Sequence, residues 1–260
     1  MKLFFRYMSM HFRSQMQYRA SFWMITFGNV LVPFAAFAGV YFLFGRFGSL
    51  QGWTLYEAAL CFGVIHMAYS LSDCFARGFD TFAELVAGGD FDRLLVRPRG
   101  TVVQVLGSKI DFTRFGHMLQ AAIVLGWAAS RLPAEWTLAK AFTLAHMVAG
   151  GTLIFTGVMM LAATMCFWTI EGLEIANIVI DGGREMAQYP LHIYHRAVMI
   201  VCTFVIPFGC VSYWPLLYVL GKTDGNAALY MMMPLAGALF FVFSLLVWRL
   251  GVRRYRSTGS

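Results

Sequence analysis

A chain of 260 residues that is 59% hydrophobic, 17% aromatic and 13% charged is too apolar for a water-soluble globular domain, where roughly half the residues are apolar. Apolar windows near the ~20 residues needed to cross a hydrocarbon core recur along it. They are too continuous for barrel strands, which alternate over about ten residues, so the fold class is all-α, a polytopic membrane protein. Residues 2–19 place Lys2, Arg6, Ser9 and Arg13 on one helical face and Phe5, Met8 and Phe12 on another, which predicts an amphipathic interfacial helix over 1–20. The opening is basic but has no short apolar core or cleavage site, so it is not a cleaved signal peptide. The first span follows at 22–44 with a kink at Pro33, and the second at 53–76. A polar region covers 77–100; the third span, 111–129, carries Lys109, Asp111 and Arg114 around its first turn. The fourth runs over 138–168, and 170–195 is a second polar region. The fifth, 196–210, is short, and the aromatic, proline-interrupted 211–225 reads as an external re-entrant or surface segment. The sixth span is 228–248.

Six spans put both termini on one side. With the N-terminus inside, sixteen lysines and arginines face the cytoplasm, against Arg46, Arg131, Lys140 and Lys222 outside. That bias fixes the orientation and assigns the net charge of +7 to topology rather than to nucleic acid. The two halves show no internal repeat of the kind that builds many secondary transporters.

The loop after the second span contains "GGDFDRLLVRPRG" at 88–100, with five charged residues in thirteen. Asp90 suits a helix cap after Gly88 and Gly89. Phe91, Leu94 and Leu95 share one face, Asp92 and Arg93 point elsewhere, and Pro98 biases Arg97 out of helix. Upstream, Phe79, Phe82 and Leu85 recur every three residues, with Glu84 on the polar side. Two turns of helix are not stable alone in water. The apolar knob therefore needs a surface, and the residues alone allow either a partner's groove or the lipid headgroup layer.

"GDFDRLLVRP" after two spans, the basic amphipathic N-terminus and the later "YPLHIY…VIPFGCVSYWP" resemble the permease subunits of type-2 ATP-binding-cassette exporters. The closest likeness is to a compact six-span bacterial subfamily. The resemblance implies a coupling helix in this loop that fits a groove in a separate ATPase. Phe91 and Leu94 or Leu95 would be the knob, and Asp90, Asp92, Arg93 and Arg97 the rim. Arg6 and Arg13 would belong to a connecting helix along the inner leaflet, and "VSYWPLLYVLGK" to short external helices. Arg99 and Gly100 depart from the small or apolar residues the family pattern expects. The implied partners are the ABC ATPase, a second six-span permease of the same or a related chain, and lipids, in a bacterial inner membrane with cytoplasmic termini. The implied activity is export of an amphipathic or lipid-like compound by alternating access at a permease dimer interface. The chain is not expected to be an enzyme: "LGSKI" at 106–110 lacks the glycine spacing of a phosphate cradle, so ATP and Mg belong to the partner. A non-transporting membrane component and an ion-gradient-driven secondary transporter are the alternatives.

Ionisable residues in apolar spans are functional candidates. Glu57 and Asp73 lie near the ends of the second span, placed to snorkel to the interface. His66 and His146 lie deeper, either bonded to a neighbouring helix or lining a polar path. Asp111 and Arg114 are spaced to pair. His192 and His195 lack a third ligand in register for a metal. Glu171, Glu174 and Asn177 share a face that is either solvated or a second ATPase contact. The five cysteines are scattered without a Cys-x-x-Cys pair and read as structural thiols.

Overall fold

The computed structural model describes residues 2–169, 173–223 and 225–255, without the side chains of Lys2 and of residues 173–176. The Glu171 and Glu174 side chains, and the second ATPase contact read from them, lie outside the described residues. Among those residues the named elements are all helices: α1 (Lys2–Gln15), α2 (Arg19–Phe47), α3 (Leu55–Phe75), α4 (Arg77–Asp80), α5 (Phe82–Ala87), α6 (Asp90–Leu95), α7 (Thr101–Ser108), α8 (Phe115–Arg131), α9 (Leu138–Met165), α10 (Leu173–Ala187), α11 (Arg196–Ile200), α12 (Phe208–Val211), α13 (Tyr213–Val219), α14 (Ala227–Met232) and α15 (Leu235–Arg254).

Four stretches are long and apolar enough to cross a membrane: Leu3–Phe47, Leu55–Phe75, Leu138–Met165 and Ala227–Arg254. A bent pair, Arg196–Val205 with Phe208–Val219, would make a fifth. At 17 residues, α8 spans about 26 Å, just under a hydrocarbon core. α2 runs through Pro33 as one helix. α3 is the buried centre, with α8, α9, α2 and α10 around it. α9 and α15 touch backbone to backbone: a methyl on Gly237 would sit 2.2 Å from the Gly150 carbonyl oxygen. Small residues permit such close approach where lipid supplies no hydrophobic drive for association.

Three expectations about the second half change. The 170–195 region is not simply a polar loop: α10 lies along α3 and runs antiparallel to it. Asn177 and Asp181 share a cavity with Asp73, the Arg184 guanidinium sits 4.7 Å from the centre of the Tyr69 ring, and Gln188 reaches His66. At its end the Cys61 thiol donates to the Ala187 carbonyl. One side of α10 packs on α3 through these contacts, while its acids Asp181 and Glu185 remain more than half exposed. Second, 196–210 is not one straight helix. α11 passes into a π turn at Val201–Val205, and the chain bends by 78° into the next helices at Pro207, which supplies no N–H. Third, 211–225 is not a surface segment throughout, because Val211, Leu216 and Val219 are fully buried. From Phe208 onward α12 and α13 are folded into the body of the protein, whereas α11 buries no side chain.

Candidate functional site

The 77–108 segment forms four short helices whose apolar sides converge on one aromatic cluster. Phe91 is fully buried, with ring centroids 5.0 Å from Phe82, 5.4 Å from Phe167 and 5.0 Å from Tyr255. Trp248 of α15 touches Phe79, Phe82 and Phe167 and donates its indole N–H to Thr101 Oγ at 3.0 Å. The loop is thereby clamped to the ends of α9 and α15. This corrects the reading of Phe91 as docking knob: its face is apolar as expected, but the surface it needs is supplied by its own chain. Leu94 is half-buried against the same cluster. The apolar surface left outward is Leu95, 39% exposed, and Val96, 84% exposed, flanked by exposed Arg93, Arg97 and Arg99.

The backbone here is held tightly. Gly89 adopts a φ of 70° and stands as the N-cap of α6, a conformation open to a residue without a Cβ. Asp90 is therefore the first helical residue rather than the cap, and its carboxylate pairs with Arg93 at 3.1 Å. Asp92 faces Tyr255, whose phenol is pushed up by burial, then by hydrogen bonding with Asp92 and by the Asp92 charge. Beyond α6, the buried Gln104 amide donates to the carbonyls of Leu94 and Arg99, both at 3.0 Å, and closes the 95–99 tip into a loop. A methyl on Gly78 would lie 1.8 Å from the Val105 carbonyl oxygen, so α4 and α7 are in backbone contact.

The N-terminal helix is bound to this assembly. His11 meets the Gly107 carbonyl at 2.9 Å, and Gln15 donates to the Ile110 carbonyl while accepting from the Phe112 amide. The packed face of α1 is Phe4, Tyr7 and Met8, whereas Phe5 and Phe12 remain exposed. The amphipathic reading was therefore rotated by part of a turn. Arg6 and Arg13 are exposed.

Under the loop, five ionisable residues from three elements meet. Asp73, almost fully buried, bonds Arg77 on the next helical turn and lies 3.0 Å from Arg114 Nε. Arg114 is also 3.4 Å from Asp111, and Arg77 is 3.9 Å from both Asp80 and Asp111. Asp111 additionally accepts from the Thr113 amide and hydroxyl. Burial pushes the Asp80 carboxyl above its ordinary value, against the pull of Arg77. Burial also works against the charge on Arg77, but the aspartates outweigh it and raise its pKa. Asp73 thus joins α3, α4 and the start of α8 instead of snorkelling to the interface. Glu57 does not snorkel either: it accepts from the Thr54 amide at 3.0 Å and from Lys222 at 2.8 Å.

The deep histidines are part of the packing. His66 Nε bonds Gln188 at 3.0 Å and stacks on Phe62, and His146 Nδ lies 3.1 Å from the Met231 carbonyl. His195 accepts from the Ala197 amide. Among the described residues no three His, Cys, Asp or Glu side chains stand together as a metal site. Gln104, Phe167 and Trp248 were not anticipated; the one legible signal was the aromatic Trp248 in an otherwise basic tail.

No curated protein and no solved structure matches the chain. A family model described as ABC-2 family transporter protein matches residues 30–259, which covers the clamped loop, the α3–α10 seam and the bent α11–α13 segment. The protein therefore belongs to the ABC-2 transporter family.

Proposed function

We propose that this chain is the membrane-embedded permease of an ATP-driven exporter, gripping a separate ATPase through the 95–99 tip. ATP and Mg act on that partner. The observation that carries the reading is a short, exposed apolar tip, Leu95 and Val96, ringed by Arg93, Arg97 and Arg99 and anchored from inside by Phe91. An apolar tip with a charged rim suits a groove in a soluble protein, and the buried anchor lets a push on the tip move α9 and α15 as rigid bodies. Asp90, Asp92 and Leu94 hold its shape.

In this reading α2, α3, α8, α9, α10 and α15 cross the bacterial inner membrane, with both termini and the loop in the cytoplasm. α11 to α13 dip in from the outer side and return. Support comes from the antiparallel course of α10 beside α3 and from the bias of basic residues, which persists although this topology moves Arg184 into α10 and Arg196 to the outer side. The permease works as a dimer with itself or a related six-span chain and exports an amphipathic or lipid-like compound. An apolar groove of about 250 Å³, lined by Val158, Met165, Val179, Ile206 and Phe240, is consistent with such a cargo. An ion-gradient carrier needs a carboxylate free to take up a cation. Glu57 and Asp73 are instead committed to Lys222 and to Arg77 and Arg114.

The test is co-expression with the ATPase and measurement of complex recovery and hydrolysis. Leu95→Asp with Val96→Asp abolishes both while the melting temperature is unchanged. Full recovery and hydrolysis in that variant refutes the docking assignment. Transport that survives ATP depletion and collapses with the proton gradient refutes the ATP-driven reading.

A further inference from the structure

The last turns of α15 carry Leu245, Arg249, Val252 and Arg253 on one stripe of the helix. The first turn of α7, Gly100 to Val102, lies opposite, and with Trp248 the two walls enclose a groove of about 430 Å³. Its chemistry is divided. Leu245, Trp248, Val252 and Val102 make one part apolar, while Arg249 and Arg253 stand exposed at its end and meet no carboxylate among the described residues. α7 begins without a side-chain cap, so the N–H groups of its first turn have no acceptor within the helix. The groove thus combines two unpaired guanidinium groups, an uncapped positive helix end and an apolar wall.

We propose that this groove holds an anionic phospholipid of the inner leaflet. Its phosphate sits on Arg249 and Arg253 beside the first turn of α7, and an acyl chain lies along Leu245 and the exposed flank of α15 at Val242 and Leu246. The charge requires an anion, since positive groups at a helix N-terminus gather negative ligands. The wall requires a hydrocarbon: a free phosphate would satisfy the arginines and leave Leu245 and Val252 in water. Basic pockets beside helices on the cytoplasmic face take anionic headgroups for this reason. The inference uses the orientation of α15 proposed above and is independent of ATPase docking.

Native mass spectrometry of the detergent-purified full chain tests it, with dioleoylphosphatidylglycerol or dioleoylphosphatidylcholine added. The natural chain retains phosphatidylglycerol in preference to phosphatidylcholine, and millimolar inorganic phosphate does not displace it. Arg249→Gln with Arg253→Gln weakens retention about thirtyfold, the combined worth of two arginines at an anionic surface. Arg249→Lys with Arg253→Lys keeps most of it. Arg97→Gln with Arg99→Gln, an equal loss of charge at the loop tip, changes nothing. Equal retention of the two lipids, undiminished retention in the glutamine pair, or equal loss in the loop-tip pair overturns the proposal. Displacement by inorganic phosphate reassigns the site to a free anion and overturns the lipid. The lipid comparison on the natural chain decides even where the glutamine pair fails to fold.

Discussion

Phe91→Ala separates an internal anchor from a docking knob. α6 has six residues, too few to persist in water, so its conformation depends on where this ring is buried. The ring is fully enclosed and makes edge or tilted contacts with Phe82, Phe167, Trp248 and Tyr255. Removing a buried phenyl ring costs about 3–5 kcal/mol. At roughly 2–4 °C per kcal/mol for a chain of this size, the melting temperature falls by roughly 10 °C. Phe91→Leu keeps most of the volume and costs under about 1.5 kcal/mol. Intrinsic tryptophan fluorescence during heating of the detergent-purified chain reads the shift, and limited trypsin digestion reads the loop, because exposed Arg93 and Arg99 become cleavable once α6 detaches. Leu95→Ala with Val96→Ala, at the exposed tip, leaves both measurements unchanged. If Phe91→Ala melts with the natural chain and the tip variant does not, the assignment of inside and outside on this helix is reversed.

Asp73→Asn removes the acid between Arg77 and Arg114 and costs about 3–5 kcal/mol, as expected when one member of a buried ion cluster is lost; thermal unfolding measures it. Asp80→Asn has the opposite sign. The Asp80 carboxyl is raised above 3.8, so its ionised form is disfavoured in the fold, and the penalty sets in as pH rises through that window. Its replacement does not lower the melting temperature at pH 7, and the two proteins converge below pH 3.8. Gly78→Ala places a methyl against the Val105 carbonyl, forces α4 from α7 and costs about 1–3 kcal/mol by overpacking, read in the same melt. On a cysteine-free background, an impermeant maleimide added to intact cells labels Asn226→Cys and not Arg99→Cys; the reverse pattern inverts the proposed orientation.

The sequence made the 88–100 segment legible as a short helix after glycines and before a proline, because those signals are local. It did not reveal what Phe91 faces. An apolar stripe demands burial but does not name the surface, and Trp248, more than 150 residues away, supplies it. Helix α10 escaped for a related reason. Asp181, Arg184 and Glu185 lower its hydropathy residue by residue, yet their cost is offset by Tyr69, by each other and by Gln188. Asp73 shows both cases at once: its bond to Arg77 could be read four residues downstream, whereas Arg114 reaches it only through the packing of α8 on α3. Pro207 falls inside the expected 196–210 span, and nothing local in the sequence shows that the chain turns by 78° there.

The indole of Trp248 serves the loop, α7 and α9 together, and any change there disturbs all three. The 95–99 tip carries no aromatic ring of its own, and its Leu95 and Val96 are exposed. If the tip docks the ATPase as proposed, grafting it from a sister permease transfers the choice of ATPase while leaving the host fold intact, and lineages exchange engines by altering a handful of exposed residues.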